Sequence, residues 1–430
     1  DEIREYLDQS PDKPLILCEY CHSMGNGPGD LEDYFGLFHG NALMCGGFVW
    51  EWCDHAVDHG RTPEGKTIYY YGGDHGETVH DGNFCMDGLV YPDRTPHTGL
   101  LEYKNVYRPV RIVSFDQDTG ALAVRNYLDF TDLKEYLKIC YRVECDGVCR
   151  EQGTLPAFSV KPGQTGMAAL PVRVPERGRT YLKLYYYQKT GAPLIPAGHL
   201  LGWEEIPLRT GDDRNQAALR WLRPAGTALP PIEVEETDVS VCLKGGEFLY
   251  VYDKRTGLFS RIFYHGREYL NRPMELNIWR APTDNDMYIK QEWKRAQYDR
   301  VRARAYTAKL DWMEEGVKIS SRISLTAPAV QPVMTMEAVW RIDNGGGIRV
   351  SMDVKKDKEF PELPRFGLRL FLDGEMDDVS YYGMGPEESY RDKCRAATHG
   401  LYERRATGLH EDYIRPQENG SHTDCDYVVV

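Results

Sequence analysis

Strand, helix and strand follow one another with the rhythm of a parallel α/β unit only once in this chain, within its first hundred residues. Pro14-Leu15-Ile16-Leu17-Cys18 is a short apolar run of the kind buried on both faces of a parallel sheet. Asn26-Gly27-Pro28 predicts a helix start with proline at the first helical position. Leu31, Tyr34, Phe35 and Phe38 then recur at helical spacing and give one apolar stripe that can pack back on a sheet; Gly40 and Asn41 end it. Gly46-Gly47-Phe48-Val49-Trp50 is the next strand. Two strands cannot bury both faces or cover their own edges, so this portion belongs to something larger.

From about Pro109 the pattern turns to short alternating strands broken by Gly, Pro and Asp. Ala121 to Tyr127, Glu135 to Val143 and Thr180 to Tyr187 read as strands of a β-sandwich. A polar stretch with Pro and Gly, 209–231, reads as a linker. Val239 to Val251, Gly257 to Phe263, Gly316 to Leu325, Thr335 to Ile342 and Gly347 to Val354 alternate again and open a second, larger β domain. The expected division is 1–108, 109–208, linker 209–231 and 232–430. No fixed-period repeat or low-complexity tract interrupts it.

The 430 residues, 41% hydrophobic, suffice for two to four domains. A net charge of −14 argues against phosphate-backbone binding and for a neutral substrate. Eleven cysteines, odd in number and irregularly spaced, are expected as free thiols in a reducing compartment. The cytoplasm is the expected location, with the periplasm as the alternative, because the chain starts at Asp1 and both ends look cut. No run of 18 apolar residues occurs, so no membrane-spanning helix is expected.

The strongest local feature is Leu17-Cys18-Glu19-Tyr20-Cys21-His22-Ser23-Met24-Gly25-Asn26. A carboxylate where an apolar parallel strand ends stands at the mouth at which barrel enzymes place catalytic groups. From position alone, Glu19 could equally be a strand-end acid paired with an arginine. The run resembles the nucleophile signature of the β-galactosidases of glycoside hydrolase family 2, an apolar strand, Glu, Tyr, small, His, small, Met, Gly, Asn, with Cys21 and Ser23 as the small residues. Cys18-x-x-Cys21-His22 supplies too few ligands for a tetrahedral zinc site, and alternation splits Cys140, Cys145 and Cys149 across both faces of a strand.

Further matches extend the resemblance over almost the whole chain. Gly46 to Trp52 resembles the following barrel strand, and Tyr71-Gly72-Gly73-Asp74 with Asp81 to Val90 resembles the loop that binds a monovalent cation and the sugar 6-hydroxyl. Asn126 to Thr131 and Ala197-Gly198-His199 are similar to the intermediate sandwich domain. Trp279 to Asp286, Tyr382 to Tyr390 and Glu418-Asn419-Gly420 are similar to the large C-terminal domain, which separates β-galactosidases from the β-glucuronidases and β-mannosidases of the family.

The resemblance implies the last strands of a (β/α)8 barrel, an immunoglobulin-like β-sandwich and an incomplete large β-sandwich. It implies a retaining hydrolase of terminal, lactose-type β-D-galactosides with Glu19 as nucleophile, forming a covalent glycosyl-enzyme, and Tyr20, His22, Trp50 and Asp87 at the sugar. Phe84, through its carbonyl, and Asp87 would hold Na+; Asp87 stands where the family has an amide, which puts sodium dependence in question. His80 replaces an expected Asn, so no Mg2+ ligand is carried onto it, and the family's Mg2+ ligands fall outside this chain. Asp93-Arg94-Thr95-Pro96-His97 reads as structural. The family's general acid lies in an Asn-Glu pair, a dipeptide that occurs nowhere here, so the chain alone is expected to be inactive. Homo-oligomerisation of the full-length protein is implied, with no nucleic-acid or membrane partner. The alternative reading is a non-catalytic β-sandwich fragment that binds carbohydrate or assembles subunits.

Overall fold

The computed structural model describes residues 2–9, 12–210 and 229–430. It divides into two compact units, residues 1–219 with 378–430 and residues 220–377.

In the first unit, helix α1 (Glu2–Asp8) precedes strand β1 (Leu15–Tyr20), helix α2 (Leu31–Gly40) and strand β2 (Met44–Val49). β1 and β2 pair in parallel, with Ile16 opposite Gly46 and Leu17 opposite Gly47. A Cβ on Gly47 would lie 2.8 Å from the Cβ of Leu17 and 3.0 Å from the Tyr20 ring, so only glycine admits the Tyr20 side chain there. Tyr20, Leu31, Phe35 and Val106 form a core on one face of this sheet, with Leu17, Tyr34, Phe38 and Val49 packed against it. This is the helical stripe expected from sequence, folded back on the strands. On the opposite face Ile16 and Phe48 remain 55% and 65% exposed, so one side of the pair is uncovered and, among the described residues, no barrel closes.

The helix begins at Leu31, not at Pro28. The intervening residues spend their hydrogen bonds elsewhere: Asn26 Nδ2 donates to the Glu418 carbonyl at 2.7 Å and Asp30 N to the Asp392 carbonyl at 2.9 Å. Asp30, at φ 58°, turns the chain into the helix.

After the hairpin of β3 (Val57–Arg61) and β4 (Thr67–Tyr70) and helix α3 (Thr98–Val106), seven strands follow: β5 (Val110–Asp116), β6 (Ala121–Asn126), β7 (Leu137–Cys145), β8 (Val148–Thr154), β9 (Thr165–Ala169), β10 (Thr180–Gln188) and β11 (Leu200–Arg209). They form two sheets, ordered β5-β6-β9 and β11-β10-β7-β8. Val110, Leu122 and Val124 from the first sheet meet Ile139, Val143, Leu182, Leu184 and Tyr186 from the second in one core, a sandwich of immunoglobulin-like strand number. The strand expected from Glu135 starts at Leu137 instead, because Asp132 caps a helical turn, Leu133–Tyr136, by accepting Lys134 N at 2.9 Å.

In the second unit, β12 (Glu233–Glu236), β13 (Ser240–Lys244), β14 (Phe248–Asp253), β15 (Leu258–Tyr264) and β16 (Arg267–Glu268) form one antiparallel sheet. β17 (Arg272–Asn277) pairs with β22 (Gly367–Phe371), and β18 (Arg302–Met313), β19 (Gly316–Thr326), β20 (Met334–Ile342) and β21 (Ile348–Lys356) form a third sheet. The expected long strand Val239 to Val251 is a hairpin, closed by Gly245 N donating to the Phe248 carbonyl at 3.0 Å. The core joins Leu243, Tyr252 and Phe259 to Ile319, Ile323 and Trp340.

The last strands, β23 (Asp378–Gly385), β24 (Thr398–Arg405) and β25 (Tyr427–Val429), form a three-stranded sheet that belongs to the first unit, whereas the sequence reading runs one block from 232 to 430. Polar contacts explain the assignment: buried Glu102 accepts Ala396 N at 2.7 Å, and Lys393 Nζ donates to the Asn26 carbonyl at 2.7 Å. The expected linker 209–231 lies almost wholly outside the described residues.

Candidate active site

The segments that leave β1 and β2 are stitched to a loop at 83–90 by their backbones. Trp50 N donates to the Tyr20 carbonyl at 3.2 Å and Ser23 N to the Trp50 carbonyl at 2.7 Å. Glu51 N donates to the Asp87 carbonyl at 2.7 Å, and Leu89 N to the Glu51 carbonyl at 2.9 Å. Gly88 is obligatory in this weave, since a Cβ there would fall 2.1 Å from Asp54 N.

Asp87, 2% exposed, is the hub of the side chains. Its Oδ2 accepts Trp50 Nε1 at 3.0 Å and lies 3.3 Å from His22 Nε2. Its Oδ1 is buried and has no hydrogen-bond partner among the described residues. Burial first, and then the negative charge of Glu51, push the Asp87 carboxyl up to about 6. His22 packs at 5.2 Å from the ring of Phe84, which is itself largely exposed. Trp50 is 42% exposed, so part of its ring is free to meet a ligand. Four of the residues named from sequence, His22, Trp50, Phe84 and Asp87, are thus brought together.

Glu19 is exposed on β1 and makes no hydrogen bond or ion pair among the described residues. Tyr20 goes elsewhere. Its side chain is buried against α2 and α3, and its hydroxyl lies 2.5 Å from that of Tyr107. Next to Glu19 on a strand, it points to the helix-covered side, so it neither crowds the carboxylate nor joins the Asp87 cluster.

Two buried polar groups behind the site escaped the sequence reading. Asp54 accepts Gly88 N and holds His97 Nε2, both at 2.8 Å, fixing the loop that carries Asp87. Lys393 and Glu388 pair at 2.8 Å and are joined by Thr98 and Tyr413. Asp54 and His97 stand 43 positions apart and Thr98 lies 290 from Glu388, so no local spacing signals these clusters.

Asp87 Oδ1 is the buried, unsatisfied oxygen that a hard cation would fit. Among the described residues, no group of three or more His, Cys, Asp or Glu side chains gathers to hold a metal ion. All eleven cysteines are free thiols, and no described helix is long and apolar enough to cross a membrane.

Three family models match in succession: the family 2 glycosyl hydrolase TIM-barrel domain over residues 1–112, β-galactosidase domain 4 over 122–209, and the β-galactosidase small chain over 244–430. The chain belongs to glycoside hydrolase family 2. Its relatives align along all of it: this family 2 chain is 42% identical to a β-galactosidase of Actinobacillus pleuropneumoniae, 34% to one of Staphylococcus xylosus and 30% to one of Priestia megaterium. It spans 41%, 43% and 41% of those proteins' lengths, as a C-terminal segment of the family architecture. A solved structure, the exo-chitosanase CsxA of Amycolatopsis orientalis, aligns over 62% of the chain and 29% of its own, at 10% identity and a TM-score of 0.22.

Proposed function

We propose that the protein to which this chain belongs is a retaining β-galactosidase and that Glu19 is its nucleophile. The Glu19 carboxylate attacks the anomeric carbon as the glycosidic C–O bond breaks and a general acid protonates the departing oxygen. Water then cleaves the glycosyl-enzyme ester with net retention. The observation that carries the reading is the convergence of His22, just beyond the strand that bears Glu19, with Trp50, just beyond the paired strand, on the Asp87 carboxylate. Trp50 offers an apolar wall to the C–H face of a sugar, while His22 and Asp87 offer hydrogen bonds to its hydroxyls.

A monovalent cation would be held by Asp87 Oδ1 and the Phe84 carbonyl, where it would neutralise the buried charge and order the loop. Retaining chemistry needs a second carboxyl roughly 5 to 5.5 Å from the first, so the 430-residue chain alone is expected to be inactive. Glu19→Gln in the full-length protein should lower turnover of a nitrophenyl β-galactoside by several orders of magnitude, with substrate affinity retained. Wild-type turnover in that variant would end the proposal. Mixing the wild-type chain with the N-terminal part should restore hydrolysis that neither part shows alone.

A further inference from the structure

The outward face of the β7-β10-β11 sheet is only half covered. At one end the C-terminal segment lies across it: His399 stacks on Tyr181 with centroids 4.4 Å apart, and Lys183 donates to the His399 carbonyl. Beyond that contact a cavity of about 480 Å³ stays open, within the range that takes small ligands. Tyr185 and Trp203 stand opposite each other on β10 and β11, and both line the cavity, joined by Tyr402 from β24. Register on the other side sets Arg142 of β7 opposite Lys183.

The charges in this cavity balance. Lys183 is taken by Glu144 at 2.6 Å. Arg142, whose guanidinium carbon lies 5.8 Å from the Tyr185 ring centre, and Glu387 make no hydrogen bond or ion pair among the described residues. Burial and the charge of Glu411 push the Glu387 carboxyl up, as expected of an acceptor with too few donors. A charged ligand would leave one of these two groups opposed by like charge. A neutral ring with hydroxyls on its rim and C–H groups on its face satisfies the acid, the guanidinium and the aromatic pair together. We propose that this cavity is a non-catalytic binding site for a neutral sugar, one or two rings long, held by Trp203, Tyr185, Glu387 and Arg142. It is built from the sandwich and the C-terminal strands, and it does not depend on Glu19.

The test is titration of the purified 430-residue chain with methyl β-galactoside, methyl β-glucoside and lactose, followed by ligand-observed NMR and calorimetry. At least one probe should bind saturably, and Trp203→Ala and Glu387→Gln should each weaken that binding roughly tenfold or more. Trp50→Ala, at the candidate active site, should leave it in place. Glu387→Gln conserves shape, so it decides the matter should Trp203→Ala fail to fold, with unchanged circular dichroism as the control. Absence of saturable binding by all three probes, binding indifferent to Glu387→Gln, or binding abolished by Trp50→Ala would each overturn the assignment.

Discussion

Asp87 Oδ2 accepts the indole N–H of Trp50 at 3.0 Å, while the other oxygen of the same carboxylate is buried without a donor among the described residues. One acceptor atom orients the aromatic wall and, at 3.3 Å, the imidazole of His22. The opposite oxygen carries an uncompensated cost, which Glu51 increases. Asp87→Ala should therefore destabilise the chain by about 1–3 kcal/mol, since Trp50 loses a buried partner. Asp87→Asn keeps an acceptor for Trp50, brings donors towards Glu51 and removes a buried charge. At pH 7.5 it should be at least as stable as wild type in urea unfolding followed by tryptophan fluorescence. An Asn variant as damaged as the Ala variant would mean that the charge itself is needed, as a bound cation would require.

Lys393, 2% exposed, is surrounded by Glu388, Thr98, Tyr413 and the carbonyl of Asn26. Its substitution by Met strands the Glu388 carboxylate in the interior and should cost about 3–5 kcal/mol. Removing both charges, as Lys393→Met with Glu388→Met, should recover much of that loss. A double-mutant cycle on urea midpoints gives the coupling directly. Equal losses in the single and the double variant would show that packing, not charge, dominates here.

Tyr20→Phe separates two roles that adjacency to Glu19 confuses. The hydroxyl meets Tyr107 at 2.5 Å inside the helix-covered core, so its removal should cost about 1 kcal/mol of stability. In the full-length protein the KM for a nitrophenyl galactoside should stay unchanged, because the ring faces away from the Asp87 cluster. A raised KM with unaltered stability would place Tyr20 at the substrate instead.

The strands and the helical stripe were legible because periodicity is local: Leu31, Tyr34, Phe35 and Phe38 specify a packed face wherever the sheet lies. The gathering of His22, Trp50, Phe84 and Asp87 was legible only through motif resemblance, since no spacing rule joins residue 22 to residue 87. What stayed hidden depends on distant partners. The start of α2 shifted because Asn26 and Asp30 bond to residues 418 and 392. Tyr20 stands apart from the Asp87 cluster because neighbouring strand residues face opposite sides, and only the packed helices reveal which side is which.

His399 offers a pH handle on the tie between the C-terminal strands and the sandwich. Burial alone would lower its basicity, but Glu205 on Nδ1 and Asp424 on Nε2, each at 2.6 Å, outweigh it and raise the imidazole above 6.5. Nearby, Arg179 also holds Asp424, and Lys183 lies 3.9 Å from Glu205, so both acids are shared with permanent cations. The folded state binds the proton more tightly than the unfolded chain does. The stability this contributes is therefore fully present below pH 6.5 and is lost as pH rises through the raised folded value. His399→Gln should be clearly less stable than wild type at pH 6, and the gap should narrow as the pH rises past 6.5 and through the raised folded value, where wild type loses its proton. Urea midpoints of the two proteins measured from pH 5.5 to 9 give the comparison. A gap that is constant with pH would mean that His399 acts through its stack on Tyr181 rather than through its charge.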